Sequence, residues 1–331
     1  MNPSVAVVGR KYGIQIAVLI LVTGILLIVF PSFANISSIF GSLNNFASVG
    51  FIALGLAVTM IAGELDMSVA SMAVVSGIVA IQVATIMPPS GLGLFASILI
   101  PVIIGVGFGM FQGWAIYRLR INSLVFTIGT LILLRGLAYV ISGSAPVNLT
   151  DYTISDILAQ RWGFLSPSIV IALVVFIAIG LFLAVLRPGR EIFAIGGARA
   201  EAVAAGVPLR RTMMITFAIS GGCAALAGAL VCLRNASGTP LAFSDLLVQG
   251  ISATLIGGIS LYGGRGSIWN VILGIAIVSV LSSGMSAGGA QPYVATLVTG
   301  ILLFLLIIVE FVRTVVVGRS RFKRARVQAI A

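Results

Sequence analysis

Long apolar runs, broken only by short clusters of charge, are the feature that most restricts what this chain can fold into. Of its 331 residues 60% are hydrophobic and 8% are charged. A soluble core with that much apolar surface would lack the polar shell it needs. Runs such as Ile14–Phe30, Ile169–Leu186, Met213–Leu233 and Val294–Val309 approach the roughly 20 residues that a bilayer-crossing helix requires. In lipid the backbone is satisfied only in helices or closed barrels, and barrel strands are about ten residues long with alternating faces. These runs are longer and continuous. The expected fold class is therefore all-α, a polytopic transmembrane helical bundle.

Charges, prolines and polar clusters mark about ten spans, at 14–31, 47–62, 67–87, 95–117, 122–142, 167–187, 212–233, 247–261, 268–285 and 292–313. The second and eighth are short and contain glycine, so eight crossings remain if those two are re-entrant. Lys and Arg in short loops mark the cytoplasmic side. With both termini cytoplasmic, 16 of the 19 basic residues fall there, leaving Arg161 and Arg234 outside and Arg135 within the fifth span. The net charge of +11 is thus accounted for by topology and by a tail, Arg319–Arg326, placed to meet anionic headgroups, not by nucleic-acid binding. Arg10 and Lys11 precede a first apolar run that reaches Pro31 without a small-residue cleavage site, so it reads as a retained span and not a signal peptide.

Histidine is absent, and Cys223 and Cys232 share one apolar run. Histidine acid–base chemistry and His-containing metal sites are excluded, and a disulfide framework is unsupported. No catalytic residue, cofactor or metal is expected. The longest external connection, 143–166, carries Asp151, Asp156, Arg161 and Trp162. Ser155 or Asp156 could cap a short surface helix there, as a docking ledge for an external partner or a plain connector.

Polarity enters the apolar sequence at two junctions. The first is Ala62-Gly63-Glu64-Leu65-Asp66-Met67-Ser68. Carboxylates two positions apart do not share a helix face, so a helix break fits better, with Gly63 turning the chain and Asp66 or Ser68 capping the next span. The second runs from Gly257 and Gly258 to Arg265, Gly266 and Ser267. It lacks the lysine and spacing of a phosphate-binding loop, and Ser267 can cap the ninth span. Thr59–Gly63 matches Thr254–Gly258 position by position in character. That is the pattern of a two-halved transporter with a repeated short-helix, glycine-turn unit. Gly63, Glu64, Asp66, Ser68, Gly257, Gly258, Arg265 and Ser267 are candidate gating positions; tight turns with ordinary caps are the alternative. Gly105, Gly109 and Gly113 form a strip suited to close helix packing.

Between the sixth and seventh spans lies Arg187-Pro188-Gly189-Arg190-Glu191, followed by Ile192–Gly197 and then Ala198–Pro208. The last block reads as a helix of about two turns ended by Gly206 and Pro208. Such a short helix is marginal in water, so a partner surface would explain it. Ala202, Val203 and Ala205 are small enough to press into a groove, with Arg199 and Glu201 as polar anchors. The alternative is a solvated loop that merely obeys the positive-inside bias.

Ala62–Ser71, Gly189–Gly197, Ala205-Gly206-Val207, Ser220-Gly221 with Ala224–Gly228, and Gly257–Ser267 together resemble the permease subunit of bacterial ATP-binding-cassette importers of the ribose, xylose and related monosaccharide class. The resemblance covers roughly 14–313. Ala62, Glu64 and Ala70 depart from the usual family pattern, and Glu64 adds a charge without an assigned role. The resemblance implies a single transmembrane permease domain over 1–331, with a membrane core at 14–313, a cytoplasmic coupling loop at 188–211 and a basic tail at 314–331. It implies a bacterial inner-membrane location, a second permease copy or paralogue, a cytoplasmic ATPase and an external sugar-binding protein. The coupling residues would be Arg190, Glu191, Arg199, Glu201, Ala202, Ala205 and Gly206. Asn44, Asn45, Asn122, Ser123 and Thr127 are candidates for the solute route, or else caps and packing contacts. An ion-gradient-driven secondary transporter of a small polar solute is the alternative, with Arg135, Glu64 and Asp66 as its only ionisable groups near a span interior.

Overall fold

The computed structural model describes residues 3–291, 293–305 and 308. The end of the expected tenth span, to 313, and the basic tail 314–331 lie outside the described residues. The helices are α1 (Pro3–Val29), α2 (Ile36–Ile61), α3 (Val69–Ile86), α4 (Gly91–Leu119), α5 (Ser123–Ser142), α6 (Thr153–Ala159), α7 (Pro167–Val185), α8 (Arg187–Gly197), α9 (Arg199–Ala204), α10 (Leu209–Arg234), α11 (Ser244–Gly257) and α12 (Ile268–Ala287). An apolar helical stretch, Tyr293–Leu305, follows. Among the described residues, eight helices, α1–α5, α7, α10 and α12, are long and apolar enough to cross a membrane, and α11 and Tyr293–Leu305 are shorter apolar helices.

Burial sorts these helices into core and periphery. In α2, α3 and α10 between 72% and 78% of the most apolar window is buried, against 22% or less in α1, α4, α5 and α7. The peripheral helices therefore turn most of their apolar surface outward, as lipid requires and water would not permit. The glycine strip on α4 packs as its spacing predicts. A Cβ on Gly109 would lie 2.1 Å from the Phe217 carbonyl oxygen, so α4 and α10 meet backbone to backbone.

Two elements differ from the sequence expectation. The span expected at 47–62 begins at Ile36, so α2 is a full 26 residues. Asn44 and Asn45 read as a boundary, yet Asn44 is satisfied inside the helix. Its amide donates to the Phe40 carbonyl at 3.1 Å, and its Oδ1 accepts from Ser166 Oγ and Arg234 Nη1, both at 3.0 Å. The second difference is α8, over a stretch read only as a connection. Pro188 stands in its first turn, where the missing N–H costs nothing, and Ile192 and Ile195 are buried while Arg190 is exposed.

At the end of the bundle that holds Arg234, two connections are laced together. β1 (Val147–Asn148) pairs antiparallel with β2 (Ser237–Gly238), and Arg135 reaches from α5 to the carbonyls of Pro240 and Ala242. The expected short helix in 143–166 is present as α6, but neither Ser155 nor Asp156 caps it. Asp151 Oδ1 accepts from the Thr153 N–H at 2.8 Å, and bonds from Thr153 hold its carboxyl below the usual carboxylate range. Ser155 instead turns inward and donates to the Arg234 carbonyl at 2.8 Å.

Candidate functional site

The two glycine junctions end their helices in the same way. At the end of α2 the Gly63 N–H donates to the Met60 carbonyl and the Glu64 N–H to the Thr59 carbonyl, both at 2.9 Å. At the end of α11 Gly258 donates to Leu255 at 2.9 Å and Ile259 to Thr254 at 3.0 Å. Gly63 and Gly258 are left-handed, with φ of 76° and 89°. Both are Schellman caps, which use glycine because a Cβ is strained at that φ. The expected repeat thus lies in cap geometry and not in helix length, since α2 has 26 residues and α11 has 14.

The junctions also touch. Gly264 N–H donates to the Ile61 carbonyl at 2.8 Å. A Cβ on Gly263 would stand 2.6 Å from the Gly196 carbonyl oxygen and 2.7 Å from Gly63 Cα. The end of α2, the end of α8 and the turn before α12 therefore meet through backbone atoms.

Glu64 has a partner that the sequence did not reveal. It is buried and forms an ion pair with Arg199, the first residue of α9. A cavity of about 320 Å³ beside the pair is lined by Gly63, Asn122, Ser123, Gly196 and Tyr262 as well. Asp66 is 1% exposed. Its Oδ1 accepts from Ser68 N at 3.0 Å and Ser68 Oγ at 2.6 Å, and its Oδ2 accepts from Ser220 Oγ of α10 at 2.7 Å. Asp66, and not Ser68, therefore supplies the cap oxygen ahead of α3. Gln112 of α4 donates to Ser68 Oγ at 3.0 Å and Thr130 Oγ1 at 2.7 Å.

The candidate solute residues do not converge. Ser123 Oγ accepts from Leu65 N at 3.2 Å, Thr127 Oγ1 accepts from Met67 N at 3.1 Å, and Asn122 caps α5 through Leu124 N at 2.8 Å. These three hold the first junction and its neighbouring helix start. Asn44 and Asn45 lie toward the other end of α2; the rise from Asn44 to Ile61 is about 26 Å. The side-chain nitrogen of Asn45 is buried without a partner among the described residues.

At the second junction Ser267 caps α12 as expected, accepting from Asn270 N at 3.3 Å. Asn270 donates to the Gly257 carbonyl at 2.6 Å, Gln15 of α1 reaches the same oxygen at 3.3 Å, and Tyr12 meets Ser267 Oγ at 3.1 Å. Arg265 is exposed in the turn. Gln15, Gln112 and Asn270 were not singled out in sequence, and Ser220 entered only with the family resemblance, without a role. Their one visible signal is a polar side chain within an apolar run.

In the connecting segment, Glu191 is buried against Arg187 at 3.1 Å and accepts from Thr212 Oγ1 at 3.5 Å. Arg190, Glu201, Val203, Ala205 and Gly206 are exposed. Ala202, expected on the outer docking face, instead turns inward into the cluster holding Ile192, Ile195 and Met213. A helix of six residues has one inner face to bury, and the small Ala202 fills it. No group of three or more His, Cys, Asp or Glu that could hold a metal occurs among the described residues. The arrangement joins a surface helix to the interior junctions through the ion pair of Arg199 with Glu64 and the backbone contact of Gly196 with Gly263.

Known proteins resemble this sequence along most of its length. The family described as branched-chain amino acid transport system / permease component matches residues 38–307. The L-arabinose transport system permease protein AraH of Escherichia coli (strain K12) is 31% identical over 300 residues, 91% of this chain and 90% of AraH. The inner membrane ABC transporter permease protein YjfF of the same strain is 30% identical over 311 residues, 92% of this chain and 93% of YjfF. The autoinducer 2 import system permease protein LsrD of Escherichia coli (strain SMS-3-5 / SECEC) is 28% identical over 301 residues, 88% of this chain and 86% of LsrD. No solved structure matches the chain. With the match running from α2 to the far side of α12 and both junctions inside it, the chain belongs to the permease-component family of branched-chain amino acid transport systems.

Proposed function

We propose that this permease passes a monosaccharide or similar polyol across the bacterial inner membrane, driven by a separate ATP-binding-cassette ATPase and supplied by an external binding protein. The chain is the transport subunit, and ATP hydrolysis belongs to the partner. The observation that carries the coupling part of this reading is the ion pair between Glu64 and Arg199, because it joins a surface helix to an interior junction. In this reading α9 is the coupling helix, and Glu201 and Val203 on it, Ala205 and Gly206 just after it and Arg190 on α8 offer exposed surface to the ATPase. The positive-inside bias puts this end, with Arg118, Arg120, Arg199 and Arg265, in the cytoplasm.

Closure of the ATPase domains would displace α9. The displacement would pass through Arg199 to Glu64, and through the Gly196 contact to the end of α2. Asp66 and Ser220 would carry it on to α10. A second permease copy or paralogue completes the route. The polyol assignment draws support from the arabinose system named for AraH; the family description names branched-chain amino acids, so leucine belongs in the substrate panel. The ion pair of Glu64 and the carbonyl contacts of Arg135 leave these two groups poorly suited to carry protons or ions. That counts against a gradient-driven transporter.

Reconstitution in proteoliposomes with the ATPase and binding protein tests the function. ATP-dependent uptake of labelled arabinose or a related sugar is expected, and the affinity of the binding protein across sugars, polyols and leucine identifies the solute. Uptake that persists without the ATPase, driven by an ion gradient alone, would overturn the reading.

A further inference from the structure

We propose that a second cavity, of about 610 Å³ at the arginine-bearing end of the bundle, binds the phosphate headgroup of an anionic phospholipid. Arg118 and Arg120 from the end of α4 and Arg199 from α9 line it, together with Asn122, over a floor that includes Ile116 and Met213. Among the described residues the ion pairs are Arg187 with Glu191 and Arg199 with Glu64. Arg118 and Arg120 thus border a concave site with no carboxylate bound to either. Arg120 has a left-handed backbone, φ 55°, which side-chain-bearing residues rarely adopt, and this turn places a second guanidinium on the wall within two residues of the first.

Guanidinium groups match phosphate oxygens through paired N–H donors. The exposed apolar side chains of Leu119 and Ile121 beside the arginines, 58% and 41% accessible, favour an amphiphile over a free anion, because they offer acyl chains a surface next to the headgroup site. An acidic side chain of the ATPase would not need them. Arg199 also serves Glu64, so a bound headgroup offers it a competing acceptor. Resting on the coupling role proposed for that pair, inner-leaflet charge would tune the link between α9 and the first junction.

The test uses the full chain purified with its ATPase, delipidated and titrated with phosphatidylglycerol or phosphatidylcholine, with bound lipid read by native mass spectrometry. Preferential retention of one phosphatidylglycerol per permease chain is expected. Arg118→Gln with Arg120→Gln should weaken it by roughly twenty-five-fold, two charges at about fivefold each, and Arg118→Lys with Arg120→Lys should keep most of it. Arg10→Gln with Lys11→Gln, which removes the same charge from the start of α1, should leave it unchanged. Circular dichroism of each variant establishes that it is folded, and lipid binding is read without transport, so failure here is distinct from failure of the importer reading. Equal retention of the two lipids, or no loss in the Gln pair, overturns the proposal. Displacement of phosphatidylglycerol by millimolar inorganic phosphate would reassign the site to a soluble anion. Absence of lipid whenever the ATPase is bound would reassign the arginines to that partner.

Discussion

Glu64 shows what a single side chain can do at the boundary between a soluble surface and a membrane interior. Its burial is tolerable because Arg199 answers its charge. Replacing Arg199 by Ala leaves the carboxylate without that partner and should lower stability by about 2 kcal/mol, measured as chemical unfolding in detergent. Glu64→Gln removes the charge itself, so the fold should survive while uptake per ATP hydrolysed falls. The swap Glu64→Arg with Arg199→Glu should recover part of that ratio, and additive losses in the double-mutant cycle would argue against the pair as the link. Sequence marked Glu64 and Asp66 as costly residues because charge in an apolar run is rare. It could not name their partners, since no periodicity connects Asp66 to Ser220, 154 positions away.

At the scale of elements, packing was more legible than boundaries. The four-residue spacing of Gly105, Gly109 and Gly113 announced a close helix contact, although not that α10 would make it. Gly109→Ala should cost about 1–3 kcal/mol and lower the thermal unfolding temperature, because its Cβ has no room against the Phe217 carbonyl. Gly107→Ala is the matched control, since nothing lies within 4 Å of its Cβ position, and it should be neutral or slightly stabilising. Boundaries were misread where a polar or helix-breaking residue finds local support. Asn44 sits inside α2 because Ser166 and Arg234 reach it, and Pro188 stands in the first turn of α8, where proline is tolerated. The short α9 was visible from composition, but the inward turn of Ala202 depends on neighbours brought in by folding. A bulky charge at Ala205 should weaken ATPase pull-down, whereas the same change at Ala202 should first destabilise the permease.

For the whole molecule, hydropathy and charge were enough to indicate a helical membrane bundle, because lipid leaves the backbone so few choices. Orientation can be checked directly, in a background lacking the buried Cys223 and Cys232. A cysteine at Tyr262, 94% exposed, should react with a membrane-impermeant maleimide only from the cytoplasmic side, and one at Trp162, 55% exposed, only from outside. Reaction of both from one side would refute the topology. Which segments converge was beyond reach of the sequence, for it depends on contacts such as that of Gly63, Gly196 and Gly263. No side chain stands between those three backbones. Side chains can take up a small displacement by changing rotamer, and a backbone contact has no such slack. The joint should therefore work with little backlash, so that a shift of α8 of even a fraction of an ångström reaches α2 almost undiminished.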